Sequence, residues 1–313
     1  MVMDCDSDAV IDTLDLPSSG TLSDVYASSD GKYLVANAYG VRPVWDLSTK
    51  AEIGIVPTSF VNAEFVTHDD SESLIVTGLR HFWELELPDL GSYQIDSVEL
   101  VGARQIPGTH YIIGTSDRRS LSEPRQITLV YDVETHEIVD TIIFKVTPES
   151  DVFYVTHFDL SPDGSKFYGV GNSADCVCLI GYDLIRGELL FTFPTDSPGG
   201  FPRVTPDGNQ VWLTHGGIYV LGPWRQYISI VDASSGARID TISVHKDDLG
   251  WPRAVAPRDI RFLPDGKKAY VRCGEPGTGG QPLLAIDAHS LGVHMILYDE
   301  SQTPNGIDIA PQM

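Results

Sequence analysis

An all-β ring of seven four-stranded antiparallel blades is what this sequence predicts, and three observations predict it. One phrase is written three times: "SPDGSKFYGV" at 161–170, "TPDGNQVWLT" at 205–214 and "LPDGKKAYVR" at 263–272. A second phrase, an apolar run ending in an acid, then a turn and another strand, recurs along the chain. The acids that mark it are Asp46, Glu86, Asp132, Asp183, Asp232 and Asp287, spaced 40, 46, 51, 49 and 55 residues apart. Third, the two ends of the chain look like two parts of one unit. A period in this range with four strands per repeat is that of a β-propeller blade.

Each element has a local reason. Pro-Asp-Gly between β-rich runs is a tight turn: Pro presets φ, Asp bonds its own backbone and Gly takes the positive φ. The segment after the turn, as in "KFYGV" or "QVWLT", alternates as a strand does. Weaker copies stand at "SSDGKYLVAN" (28–37), "HDDSESLIVTG" (68–78) and "IPGTHYIIGT" (106–115). The third and fourth strands of each blade come next, in "VWDLSTKAEIGI", "LVYDVETHEIVDTI", "IGYDLIRGELLFTF", "SIVDASSGARIDTI" and "LAIDAHSLGVHMIL", with "LELPDLGSYQI" as a weaker copy. At the N-terminus "VMDCDSDAVIDTL" aligns without a gap to "VYDVETHEIVDTI", setting Asp4 opposite Asp132. The C-terminal "TPNGIDIAPQ" resembles a first strand, as in "APRDIRFLPDG". The expectation is therefore one domain over 1–313, with a seventh blade shared by the two ends and closing the ring against exposed sheet edges. That blade lacks a second strand, so either it has three strands or residues before Met1 were lost.

The PDG turn, the "YV" strand and the "VxDxxxxxxxxTI" strand pair resemble the YVTN-type β-propeller repeats. The resemblance spans nearly the whole chain. It implies a propeller of the kind found in surface, periplasmic and secreted proteins, so the expected location is periplasmic or extracellular, with the cytoplasm still open. It implies little about activity, since such folds carry scaffolds, binding modules and enzymes alike.

Composition narrows the function classes. The formal charge of −23 disfavours binding to nucleic acid or anionic lipid, which needs clustered cations. No apolar run reaches the ~18 residues of a membrane span, and the start lacks a signal peptide's basic and apolar regions. Of the four cysteines, Cys5, Cys176, Cys178 and Cys273, the CxC pair is too closely spaced for an ordinary disulfide and reads as strand packing. GxSxG, P-loop, dinucleotide and HExxH signatures are all missing.

If first strands line a central channel, counting back from each turn places Tyr26, Phe65, Arg104, Asp159, Arg203, Arg261 and Asp308 around it. Such a mixed ring predicts mutual salt bridging. Glu64 falls in the apolar series and needs a partner. The irregular loops fall on the face opposite the repeated turns and concentrate on blades 3 to 6, where function is most often carried.

Three candidate sites emerge. Asp24, Asn62 and Asn305, with Glu64 below, begin neighbouring first strands and offer oxygen ligands of the type that suits Ca²⁺, although strand starts favour Asn and Asp in any case. His157, Arg203, His215 and Arg258 lie at the funnel of blades 4 to 6 and offer a base with cations. Phe201, Tyr219, Trp224, Arg225, Trp251 and Arg253 form an aromatic and arginine-rich loop surface, the residue types that dominate interfaces. The expected function is a noncatalytic binding or scaffold propeller, recognising a protein, a glycan or another small ligand through the loops of blades 4 to 6, with no cofactor required. The alternative is a channel-mouth hydrolase or lyase, lactonase-like and dependent on a divalent cation.

Overall fold

A computed structural model describes residues 2–4, 7–12, 22–38, 41–56, 62–68, 71–77, 82–95, 100–116, 128–147, 152–174, 176–195, 199–215, 226–249, 256–274 and 282–297. Among these are six four-stranded antiparallel sheets, each made of four consecutive strands. Blade 1 covers 22–55, blade 2 62–95, blade 3 100–142, blade 4 154–194, blade 5 202–243 and blade 6 256–297. The first strands of neighbouring blades pack against one another, which puts them innermost.

The blade count corrects the expectation of seven. Val2–Asp4 and Ala9–Asp12 pair with each other as a two-stranded sheet, not as half of a further four-stranded blade. The C-terminal stretch expected in the shared blade lies outside the described residues. The local similarity is nonetheless real. Asp4 pairs with Ala9 as Asp132 pairs with Glu137, and Asp8 takes the positive φ that His136 takes four residues after its own acid. The ribbon also packs on blade 6, where Lys268 Nζ (3.0 Å) and the Tyr270 hydroxyl (2.5 Å) donate to the Asp8 carboxylate. A hairpin pattern identifies a hairpin; it does not supply the strands that would complete a blade.

The core sits in the clefts between blades, because each sheet has two faces to bury and only its neighbours to bury them against. Trp212, Ile230, Ile260, Val271 and Leu284 fill the cleft between blades 5 and 6. Phe144, Phe158 and Phe167 stack at ring separations of 4.5 and 4.9 Å between blades 3 and 4. Outer strands are largely exposed, as Glu137–Ile142 and Arg238–Ser243 show, and they blunt their edges with charge.

Both repeated phrases act as the turn chemistry requires. In the Pro-Asp-Gly turns the aspartate caps its own hairpin: Asp207 Oδ1 accepts from the Thr205 hydroxyl at 2.6 Å and the Asn209 N–H at 3.0 Å, and Gly208 takes φ of 74°. In the second phrase the acid accepts the backbone N–H groups two and three residues on. Asp46, Asp132, Asp183, Asp232 and Asp287 all do so. These acids therefore have a structural job.

Cys176 and Cys178 also depart from expectation. Cys176 just precedes the strand Val177–Asp183 and Cys178 lies within it, and the structure pairs the two sulfurs as a disulfide. Cys273 is free and buried.

Candidate functional site

The innermost strands carry a belt of opposite charges. In sheet register, Tyr26, Glu64, Arg104, Asp159, Arg203 and Arg261 occupy equivalent positions in blades 1 to 6. Five match the predicted ring. The sixth is a correction: Glu64 stands where Phe65 was expected, and Phe65 packs into the core between blades 1 and 2. The reason is the turn. Blade 2 closes its first hairpin with a two-residue turn, His68 pairing with Ser71, and not with the longer Pro-Asp-Gly loop. Counting back from the loop is then off by one, and a one-residue slip exchanges faces. Tyr26 is buried, in the same core, and Asp308 lies outside the described residues.

The charges pair around the belt. Arg104 Nη1 donates to Glu64 Oε2 at 2.9 Å and its Nε lies 3.9 Å from Asp159. Arg203 lies 3.7 Å from Asp159 and donates to Asp259 Oδ1 at 3.0 Å. Arg261 reaches the same Asp259 oxygen at 3.3 Å. One step along the channel, Arg272 of blade 6 lies 3.5 Å from Asp24 of blade 1. Glu64, the odd carboxylate of the sequence, thus has its partner in the next blade. Sequence reading does not single out Asp259 or Arg272. Asp259 sits two residues before Arg261, beside a bulge that shifts the register, so counting along the strand misses it.

Electrostatics follow the pairing. Burial works against the Asp259 carboxylate, but Arg261, Arg203 and Arg272 outweigh it and hold its pKa far below the usual range. Asp24 has a weaker arrangement: burial pushes it up to about 6 against the pull of Arg272. Burial lowers Arg203, and Arg261 adds to this, opposed by Asp259.

The four funnel candidates divide. His157 and Arg203 are coupled: burial, then the Arg203 charge, pushes the His157 imidazole down to about 4, so it is neutral at pH 7. Its ring lies 3.8 Å from that of Phe201, and its Nδ1 is buried without a hydrogen-bond partner. His215 is buried in the body of blade 5, with Nε2 2.9 Å from the Ser229 hydroxyl and its ring 4.4 Å from that of Tyr227. Arg258 lies against Gly274, where an added Cβ would meet its Nε at 2.2 Å. Burial lowers its pKa.

Of the cation candidates, Asp24 and Glu64 are held by Arg272 and Arg104, and Asn62 Oδ1 is buried without a hydrogen-bond partner. Asn305 lies outside the described residues, as do Tyr219, Trp224, Arg225, Trp251 and Arg253. Phe201 is half-buried and its N–H donates to the Thr214 hydroxyl at 2.9 Å.

Sequence reasoning also misses a buried carboxylate between blades 2 and 3. Glu84, 1% exposed, accepts from the Ser73 hydroxyl at 3.1 Å and the Tyr131 hydroxyl at 3.2 Å, with His136 Nδ1 at 3.0 Å. Its one sequence signal is an acid set between the apolar Trp83 and Leu85 in the middle of the strand Phe82–Glu86.

Comparison with known proteins supports the architecture. The chain aligns with hydrazine synthase of Kuenenia stuttgartiensis at a TM-score of 0.65 and 15% identity, covering 90% of this chain and 80% of that one. It aligns with the β-propeller domain of Myceliophteria thermophila Cps50 (Swd1) at 0.64 and 13%, covering 89% and 86%. The Dos1 propeller gives 0.58 and 13%, covering 90% and 71%. The chain is a β-propeller. These similarities show the fold alone, and the neighbours differ in function. No family model matches the chain, and no curated protein matches it. The likeness to YVTN-type repeats therefore rests on the turn and strand phrases themselves.

Proposed function

We propose that this propeller is a noncatalytic binding or scaffold module, recognising a protein or other ligand through the loop face of blades 4 to 6. The observation that carries the reading is the paired belt. Glu64, Asp159, Asp259 and Asp24 each have an arginine within 4 Å. A carboxylate neutralised by arginine is a poor ligand for Ca²⁺, which needs several negative or carbonyl oxygens turned to one point. The belt instead ties adjacent blades together and gives a rigid platform for loops. Trp224, Trp251, Arg225 and Arg253 supply the interface chemistry on that platform. By resemblance to the YVTN-type repeats, the module works outside the cytoplasm.

The channel-mouth hydrolase or lyase is the second reading. What favours it is that Asn62 Oδ1 and His157 Nδ1 are both buried without hydrogen-bond partners, since such atoms ask for a bound group or water.

The two readings separate in one set of measurements. A binding module loses capture of its partner in the double variant Trp224→Ala/Trp251→Ala while its melting temperature holds. It turns over no lactone or ester with Ca²⁺ or Mg²⁺ present. A rise in melting temperature with Ca²⁺ that disappears in Glu64→Gln, together with ester turnover, would overturn it in favour of the enzyme.

A further inference from the structure

Blade 3 breaks the repeat at one place on the hairpin-turn face, opposite the long loops. In five blades the residue just before the second strand bonds, through its carbonyl, the N–H following the acid of the second phrase. That residue is Lys32, His110, Ser165, Asn209 or Lys267. In blade 3 it is a histidine. Two residues beyond the same acid, where blades 1, 4 and 5 carry Ser48, Ile185 and Ser234, blade 3 has Glu134.

The result is a compact donor set. His110 Nε2 lies 3.8 Å from Asp132 Oδ1, and His110 Nδ1 lies 3.4 Å from Glu134 Oε1. One ligand atom from each residue falls within 4.8 Å of the others, and no second group of this kind occurs among the described residues. The framework holds two of the three in place. Asp132 is fixed by N–H groups of Glu134 (2.9 Å) and Thr135 (3.3 Å), and it is 6% exposed. The His110 ring lies against Tyr111, 4.2 Å between centroids. Glu134 is exposed, with room for its side chain to rotate.

The set opens on a cavity of about 410 Å³ where blades 1, 2 and 3 meet, lined by Ser29, Thr67, Gln105, Thr109, His110 and Glu134 with Gly108. Its walls offer hydroxyl and amide groups. Sites with three protein ligands and an open side facing such a space leave coordination positions for water or an oxygen-bearing ligand.

We propose that His110, Asp132 and Glu134 bind a divalent cation of the zinc or manganese class at the edge of this cavity. One imidazole with two carboxylates suits such a cation better than Ca²⁺, which takes only oxygen. Only one imidazole nitrogen can bind the ion: Nε2, which faces Asp132, is that donor, and the exposed Glu134 side chain, which stands beside Nδ1, rotates to the Nε2 side to complete the set.

The test is calorimetric titration of the whole chain with ZnCl₂ and, separately, CaCl₂, alongside melting curves. The wild type is expected to bind one Zn²⁺ and to melt higher when loaded. His110→Ala and Glu134→Gln are each expected to weaken binding by about tenfold or more, with unchanged circular dichroism. His289→Ala on blade 6 and Glu64→Gln in the channel are expected to bind as wild type does. The Glu64→Gln arm also separates this site from any channel cation. Absence of saturable Zn²⁺ binding, Zn²⁺ binding unaltered in both His110→Ala and Glu134→Gln, or tighter binding of Ca²⁺ than of Zn²⁺ at this site would each overturn the proposal.

Discussion

The hairpin-turn face and the channel belt both rely on aspartates, and they use them in opposite ways. On the turn face each acid serves its own hairpin: Asp232 Oδ1 accepts N–H and hydroxyl bonds from Ser234 and Ser235, all between 2.7 and 3.0 Å. In the belt each acid serves another blade: Asp259 of blade 6 holds Arg203 of blade 5, fifty-six residues away. Local bonds write themselves into a phrase that repeats. Belt partners are chosen by which strands the ring brings together, and so they leave no phrase. The difference should also appear in energetics, because the turn acids Asp232 and Asp287 are half-buried and exposed, while Asp259 and Arg203 of the belt are buried.

The sharpest way to break the contrast is to remove a belt cation. Arg203→Met leaves the buried Asp259 and the half-buried Asp159 with less compensation, and a stranded buried charge costs about 3–5 kcal/mol. Removing Asp259 as well, in Arg203→Met/Asp259→Asn, is expected to return part of that loss. Denaturant unfolding of the three variants measures it. Equal loss in the single and the double variant would mean that the belt is not coupled as drawn. Glu84→Ala comes next. It removes a buried acceptor and leaves Ser73 and Tyr131 without it, so about 2–3 kcal/mol is expected, with blades 2 and 3 exchanging amide hydrogens faster than blades 5 and 6.

The belt should also respond to pH in two opposed directions. Asp24, raised to about 6 by burial, keeps its proton in the folded chain after the unfolded chain has lost it. Its contribution therefore falls as pH climbs from about 4 to about 6. His157, lowered to about 4 by burial and Arg203, behaves in reverse. The unfolded chain takes up that proton first, so stability is lost as pH falls from about 6.5 to about 4. Unfolding midpoints against pH check both. Relative to wild type, Asp24→Asn should gain as pH rises through its window, and His157→Phe should gain as pH falls through its own. Parallel curves for either variant would remove that residue from the account.

Legibility in the sequence divides along the same line. The propeller, the four-stranded blades, the Asx-type turns and most of the ring are legible, because each depends on a few neighbouring residues. Glu64 reads correctly as a carboxylate in need of a partner, but its face is misassigned since blade 2 has a shorter turn. The seven-blade count fails at the ends, where a hairpin resembles part of a blade but, among the described residues, stands as a two-stranded sheet. Asp259, Arg272 and the Glu84 cluster are invisible for a common reason: each is defined by residues from another strand or blade, across a bulge or a blade cleft. His110 is hidden differently. It lies inside a weak copy of the repeat, and its meaning comes only from the register that aligns it with Lys32, Ser165, Asn209 and Lys267.

The smallest expected effect tests the other side of the comparison. Asp232→Ala removes an acceptor of four short bonds, yet all four run within one hairpin and water can replace them. About 1 kcal/mol is expected, well below the belt variants. The acid-side pH dependence should change with it: hydrogen bonds from Ser234 and Ser235 hold the Asp232 carboxyl down to about 2. The stability it lends is present above the usual carboxylate range and fades as pH drops toward 2, so wild type and Asp232→Ala should converge in acid. If Asp232→Ala instead costs as much as Arg203→Met, the turn acid is not a local device. The repeat would then be holding the ring together through its turns, and the belt would be secondary.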